Sequence, residues 1–161
     1  MIGLFKFLTL PRDNFDKQCF KLLTLVEPCV KVAFNGDLPD TVNISMEVST
    51  SKAKAHYELL SNTIVLNRHL LTFDEMFTVV VHELIHVSQC FRGDLSWSRT
   101  NKCLLWKNKR VMTEPWEDEA FGQQEQLAVK IVSLLPQTSV DKLFNLCYDE
   151  KVEMKTKETK T

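Results

Sequence analysis

The feature that most constrains this chain is His82-Glu83-Leu84-Ile85-His86, in which two histidines stand four residues apart. At about 3.6 residues per turn, this spacing places both imidazoles on one face of a helix, where they can bind the same tetrahedral metal ion. Glu83 follows the first histidine directly and is near enough to take a proton from a water molecule without binding the ion itself. The pattern therefore predicts a helix that binds zinc and carries an acid/base group beside it.

The residues around this pattern favour a buried helix. Residues 77–81 are mostly apolar and Val87 follows the second histidine, so polar side chains here are costly without a partner. Thr72 and Glu75 have the spacing of a capping box, which predicts that the helix begins near Phe73. A metal ion is the partner that best accounts for the two histidines, and the alternative is a histidine pair that is satisfied within an ordinary core.

A third ligand is expected downstream, because two histidines alone do not make a stable zinc site. Pro115 suits the first position of a helix, and acidic residues suit its first turn. At about 100° per residue, Glu117 shares one side of this helix with a mostly apolar set: Ala120, Phe121, Gln124, Leu127, Ala128, Ile131 and Leu135. Glu119 points to the polar side. Since a buried carboxylate needs a strong partner, we predict Glu117 as the third ligand, with Glu119 as the alternative.

Hydrophobic patterns elsewhere predict a small sheet and three more helical segments. Alternating apolar residues predict antiparallel strands at 29–34 and 42–48 and a third strand at 63–67. Residues 103–107 and 110–112 flank a turn and are expected to form a short hairpin. Helices are expected at residues 13–27, ending at Pro28, from Pro115 to about Leu135, and at residues 140–148. The predicted fold class is therefore α+β, with a small antiparallel or mixed sheet packed on the two ligand-bearing helices.

At this point the chain resembles a known class of enzymes. An HExxH pattern followed about thirty residues later by a helix with Glu117-x-x-Ala120 is similar to the gluzincin class of zinc metallopeptidases, in which that glutamate is the third ligand. The wider series over roughly residues 55–135 resembles small zincin-like proteins that are often encoded by bacteriophages, and more distantly the ImmA/IrrE-type and HtpX-type peptidases. This series comprises His82–Val87, Gln89, Gly93, Trp106-Lys107-x-Lys109 and Pro115-Trp116-Glu117-x-Glu119-Ala120-Phe121.

One position departs from these families. The ImmA/IrrE-type and HtpX-type proteins tend to place Asn or Asp directly after the alanine, where it supports a metal-binding histidine, whereas this chain has Phe121. The support must then come from another side chain, and Asp118, Glu119 and Gln124 are the candidates.

The resemblance implies a zincin-like fold and a zinc-dependent, peptidase-like hydrolase of proteins or peptides. His82, His86 and Glu117 would hold one zinc ion, and a metal-bound water activated by Glu83 would attack a peptide carbonyl. The alternative is a catalytically silent zinc-containing protein that binds or inhibits a host or regulatory partner. An evident oxyanion-stabilising residue is missing from the pattern, and this favours the alternative.

Composition limits the remaining possibilities. The 161 residues suit one domain, which we expect at 1–148, followed by a charged, disordered tail at 149–161. The balance of 20 basic and 21 acidic residues does not suggest a nucleic-acid partner, and no stretch is long and apolar enough to suggest a membrane span. Five dispersed cysteines without a Cys-x-x-Cys pair predict free thiols and a cytoplasmic location.

Overall fold

The computed structural model describes residues 3–143 and 145–146. The elements follow one another as β1 (Phe5–Phe7), α1 (Asn14–Ala33), β2 (Val42–Glu47), β3 (Ala55–Glu58), β4 (Thr63–Asn67), α2 (Phe73–Phe91), β5 (Leu95–Ser98), β6 (Cys103–Trp106) and α3 (Pro115–Leu134). A last helical segment covers residues 137–143 and 145–146, so the predicted final helix begins three residues earlier than expected. The fold is α+β, as predicted. The predicted domain end at residue 148 and the tail at 149–161 lie outside the described residues.

Four strands form one mixed sheet in the order β1-β2-β4-β3. The crossover through α1 makes β1 and β2 parallel, and β4 is also parallel to β2. The strand β3, which the sequence analysis did not predict, is antiparallel to β4 and places Ala55 opposite Leu66. It forms one edge of the sheet and contacts α2. The edge of the sheet therefore lies directly beside the helix that carries the HExxH pattern.

The second half of α1 differs from the prediction. Residues 29–34 were predicted as a strand after a helix that ends at Pro28, but α1 continues to Ala33 with this proline inside it. Its buried positions continue the helical stripe of the first half: Leu22, Leu23, Val26, Cys29, Val30 and Ala33. Packing of this stripe against the core outweighs the hydrogen bond that one proline removes. Asn35 and Gly36, with φ of 55° and 77°, end the helix rather than a strand.

The helices α2 and α3 agree with the sequence prediction. The backbone N–H of Thr72 donates to Glu75 Oε1 at 3.0 Å, as expected of a capping box at the start of α2. The two helices pack against each other, and one buried cluster joins them to α1 and to one face of the sheet. This packing brings the first turn of α3 beside the middle of α2. In the part of the chain that is described, every helix is too short or too polar to cross a membrane.

A two-stranded hairpin connects α2 to α3, but its strands are not the predicted pair. The strand at 103–106 pairs with 95–98, so that Ser98 lies opposite Cys103, rather than with 110–112. Gly93, with φ of 83°, turns the chain at the end of α2 and delivers residues 95–98 to this position. The turn predicted at Asn108-Lys109 is present and is closed by a single bridge between Trp106 and Lys109, whereas residues 110–112 form no strand.

Candidate metal centre

Two histidines of α2 and one glutamate of α3 converge at the interface between these helices. The Nε2 atom of His82 lies 3.2 Å from Glu117 Oε2, and the Nε2 atom of His86 lies 2.8 Å from Glu117 Oε1. The two imidazole centroids are 4.9 Å apart and nearly perpendicular. One ligand atom from each residue falls within 4.8 Å of the other two. The three residues that the spacing and the helical period selected are therefore close enough to bind one metal ion.

A buried glutamine fixes the orientation of His86. Gln89 donates through Nε2 to the Trp116 carbonyl oxygen at 2.9 Å and to Glu119 Oε1 at 3.3 Å. Its Oε1 atom must therefore face His86, 2.8 Å from Nδ1 of that histidine. Because an amide oxygen only accepts hydrogen bonds, Nδ1 carries the proton and Nε2 of the neutral imidazole presents a lone pair.

The support of His82 comes from α3. Its Nδ1 atom lies 2.8 Å from Gln124 Oε1, and the ring of Phe121 packs on the imidazole with centroids 4.6 Å apart. Gln124 was one of three candidates for this role, and the other two lie elsewhere: Asp118 is exposed, and Glu119 interacts with Gln89 and Arg92. The sequence placed Phe121 on the apolar side of α3, but most of its surface is exposed at the mouth of the site.

The donor atoms of this cluster fit a divalent metal ion. With both Nδ1 atoms engaged by amide oxygens, both Nε2 atoms face the same carboxylate. Neutral imidazoles present lone pairs there that a cation can accept, whereas protonated imidazoles pair with Glu117 directly. Two ligands of a tetrahedral zinc ion lie roughly 3.3 Å apart, which is close to the separations between Glu117 and the two imidazoles. Two imidazoles and one carboxylate with a fourth position open are a donor set suited to catalytic zinc.

Glu83 lies beside this cluster and is buried. Burial, and secondly the negative charge of Glu117, raise the pKa of Glu83 to about 8. Its carboxyl group makes no hydrogen bond or ion pair within the described residues, so nothing there offsets the cost of burying its charge. A carboxyl group with a pKa near neutrality can both accept and return a proton at physiological pH.

The cluster opens into a cavity of about 520 Å³. Residues from β3 and the loop before it form one wall, α2 and α3 form the floor and the opposite wall, and the hairpin contributes Leu95 and Leu104. His82, Glu83, His86 and Glu117 all line it. A molecule in this cavity would therefore contact both the metal centre and the edge of the sheet.

Gln89 is the residue of this site that the sequence analysis assigned no role. A signal was available, because Gln89 lies three residues after His86 and so faces the same side of α2. The alternative third ligand, Glu119, is directed away from the histidines and accepts a hydrogen bond from Arg92 at 2.9 Å.

Comparisons of the chain with protein-family models, with curated proteins and with solved structures give no match.

Proposed function

We propose that this protein is a zinc-dependent, peptidase-like hydrolase with a zincin-like arrangement of its site. The observation that carries the proposal is the convergence of His82, His86 and Glu117 beside the buried carboxyl group of Glu83. Three ligands leave a fourth position open, whereas a purely structural zinc site is closed by four protein ligands. The site therefore combines the groups that zinc hydrolases need, and it does so inside a cavity.

The chemistry divides between the ion and the protein. A zinc ion bound there would act as a Lewis acid, which polarises a carbonyl group and acidifies water. Glu83 would take a proton from the attacking water and pass it to the leaving amine. Because the charge of Glu117 is the second cause of the raised pKa of Glu83, after burial, a cation bound to Glu117 would lower this pKa and so favour loss of the proton from Glu83.

The edge strand β3 offers a way to hold a protein or peptide substrate. Within the described residues no strand pairs with its outer side, and its residues line the cavity from Ala55 to Tyr57. An extended peptide could add to this edge by backbone hydrogen bonds and place one of its carbonyl groups near the metal centre. We assign such substrates to a reducing, cytoplasmic setting, because Cys29, Cys90 and Cys103 form no disulfide with the described residues.

A silent zinc-containing binding or inhibitor protein is the second candidate, and one observation favours it. Two residues of the cavity wall are of types that stabilise oxyanions, but both are engaged elsewhere. The hydroxyl group of Tyr57 donates to Asn62 Oδ1 at 2.8 Å, and His56 Nε2 lies 3.2 Å from Glu58 Oε1. Hydrolysis would require one of these groups, or a backbone N–H, to turn toward the substrate.

The experiment that tests the proposal compares the wild-type protein with Glu83→Gln and with Glu117→Ala. We expect about one zinc per chain in the wild type and in Glu83→Gln, and little in Glu117→Ala. In a lysate, new peptide ends should appear with the wild type and fall by roughly 100-fold or more in Glu83→Gln. Glu125→Gln, on the exposed face of α3, is the matched control and should cleave as the wild type does. Equal cleavage by wild type and Glu83→Gln would overturn the mechanism, and zinc without any cleavage would support the binding protein.

A further inference from the structure

The segment from residue 95 to residue 113, which we call the basic segment, differs in charge from the rest of the molecule. It comprises the hairpin and the turn that follows it. Five of the chain's 20 basic residues and none of its 21 acidic residues lie in it, which leaves 15 basic against 21 acidic residues elsewhere. The five cations are Arg99, Lys102, Lys107, Lys109 and Arg110. A positive surface therefore stands on an otherwise acidic protein.

The charges of the basic segment are not neutralised by the described residues. All five side chains are exposed, and none of them forms an ion pair with a carboxylate of residues 3–143 or 145–146. Elsewhere three described cations have carboxylate partners, as Lys54 contacts Glu75, Arg68 contacts Asp16 and Arg92 contacts Glu119, and the others form no ion pair with the described residues. What distinguishes the basic segment is that its five cations lie together with no acidic residue among them. Lys107 does not reach a carboxylate but lies 5.8 Å from the ring centre of Trp106.

The hairpin also presents an apolar face, and this face continues the cavity of the metal centre. Residues directly opposite each other in an antiparallel pair point to the same side, so the pairs Leu95–Trp106 and Trp97–Leu104 share one face. Leu95 and Leu104 line the cavity. Trp97, which is 41% exposed, extends the face beyond it. A chain that leaves the cavity along the hairpin would meet aromatic side chains first and cations at the two turns.

We propose that the basic segment binds a part of a protein substrate next to the cleaved bond, and that this part combines a bulky apolar side chain with acidic residues. The inference rests on the proposed hydrolase function. The apolar side chain would pack on the face of Trp97 and Trp106, and the acidic residues would pair with the unneutralised cations at the turns. A peptide is favoured over a nucleic acid because the face is continuous with the cavity that holds Glu83, where a peptide bond would be cleaved.

The test measures binding without turnover. Zinc-loaded Glu83→Gln is titrated with fluorescent peptides that share a central Phe-Leu and differ in flanking residues, which are Glu in one, Lys in the second and Ser in the third. We expect the Glu-flanked peptide to bind roughly tenfold more tightly than the Lys-flanked one at low salt, and this preference to shrink at high salt. Equal affinity for the Glu-flanked and Lys-flanked peptides, or no binding of either, would overturn the inference.

Two double variants locate the effect. Arg99→Gln with Lys102→Gln should remove most of the preference for the Glu-flanked peptide. Lys17→Gln with Lys21→Gln lowers the net charge by the same amount, but on the exposed side of α1, and should preserve the preference for the Glu-flanked peptide. Tighter binding of single-stranded oligo-dT than of the Glu-flanked peptide, lost in the hairpin variant alone, would overturn the inference in favour of nucleic acid.

The wild type separates this inference from the proposed function. Cleavage of the Lys-flanked and Glu-flanked peptides at the same rate would overturn the inference and leave the hydrolase intact. Binding of the Glu-flanked peptide through the hairpin cations, with no cleavage of any peptide or lysate protein, would support the surface and contradict the hydrolase.

Discussion

The two halves of the metal centre differ in how firmly the protein holds them. In the inner half, Glu83, His86 and Gln89 are 6%, 7% and 0% exposed. In the outer half, the side chain of His82 is 13% exposed, against 8% for the side chain of His86, and Phe121 is 65% exposed. The inner half belongs to the core, whereas the outer half borders the mouth of the cavity.

Hydrogen bonds also hold the inner half more firmly than the outer half. Gln89 makes three hydrogen bonds, and two of them tie it to the first turns of α3 through Trp116 and Glu119. Gln124 makes one, to His82. Packing of α2 against α3 therefore fixes the orientation of His86 when the chain folds. The orientation of His82 depends on the partly exposed side chain of Gln124. The inner half is therefore preorganised, and the outer half is the side from which substrate and solvent reach the site.

The largest expected effect is on the free energy of unfolding of the metal-free protein, and it comes from the ionisation of Glu83 in the inner half. The raised pKa of Glu83, about 8, exceeds the value of about 4.3 expected in the unfolded chain, so the folded state holds this proton more tightly. The stabilising contribution is complete below pH 4.3 and is lost as the pH rises through 8. Glu83→Gln cannot ionise at this position. Between pH 5 and pH 8 its free energy of unfolding should therefore rise by roughly 3 kcal/mol relative to that of the wild type. Urea unfolding of both metal-free proteins measures this difference.

Glu125→Gln is the control for that experiment, because its carboxyl group is exposed on α3. Its free energy of unfolding should equal that of the wild type at every pH. A difference between Glu83→Gln and the wild type that stays constant from pH 5 to pH 8 would contradict the raised pKa and the distinct inner half.

The fold could be predicted from sequence where local signals agree with packing. The helices α2 and α3 were predicted because their caps and apolar periodicity coincide, and β4 because the four apolar or β-branched residues 63–66 follow one another. Pro28 is a strong local signal, yet long-range burial of Cys29 and Val30 overrides it. The partner of β6 depends on how Gly93 turns the chain, and alternation within the strands does not contain this information.

The residues of the site differ in how strongly the sequence identifies them. Glu117 could be selected by helical periodicity, because burying a carboxylate without a partner is costly and therefore informative. Glutamine is neutral and common on surfaces, so its presence at Gln89 and Gln124 gives a weak signal. Glu119 acquires its contacts with Gln89 and Arg92 through tertiary packing alone, and sequence spacing did not assign them.

The second prediction concerns the inner half when its buried glutamine, Gln89, is replaced. Gln89→Leu keeps a side chain of similar size but removes the hydrogen bonds of Gln89 with His86 Nδ1 and the Trp116 carbonyl oxygen. We expect a loss of roughly 2 kcal/mol in the free energy of unfolding and a zinc affinity weakened by about 100-fold. Competition with a chromophoric chelator measures the affinity. Wild-type affinity in this variant would show that Gln89 does not position His86.

The last and smallest effect comes from the outer half. Gln124→Leu removes one hydrogen bond from a partly exposed imidazole, and water can replace the lost oxygen, so the free energy of unfolding should change by less than about 0.5 kcal/mol. Zinc affinity should fall by roughly tenfold, because the Nδ1 proton of His82 loses a fixed acceptor. Gln126→Leu, one exposed glutamine further along α3, should leave both quantities unchanged. If Gln124→Leu and Gln89→Leu weaken zinc binding equally, burial does not distinguish the two halves, and a single hydrogen bond to each imidazole accounts for the support of the site.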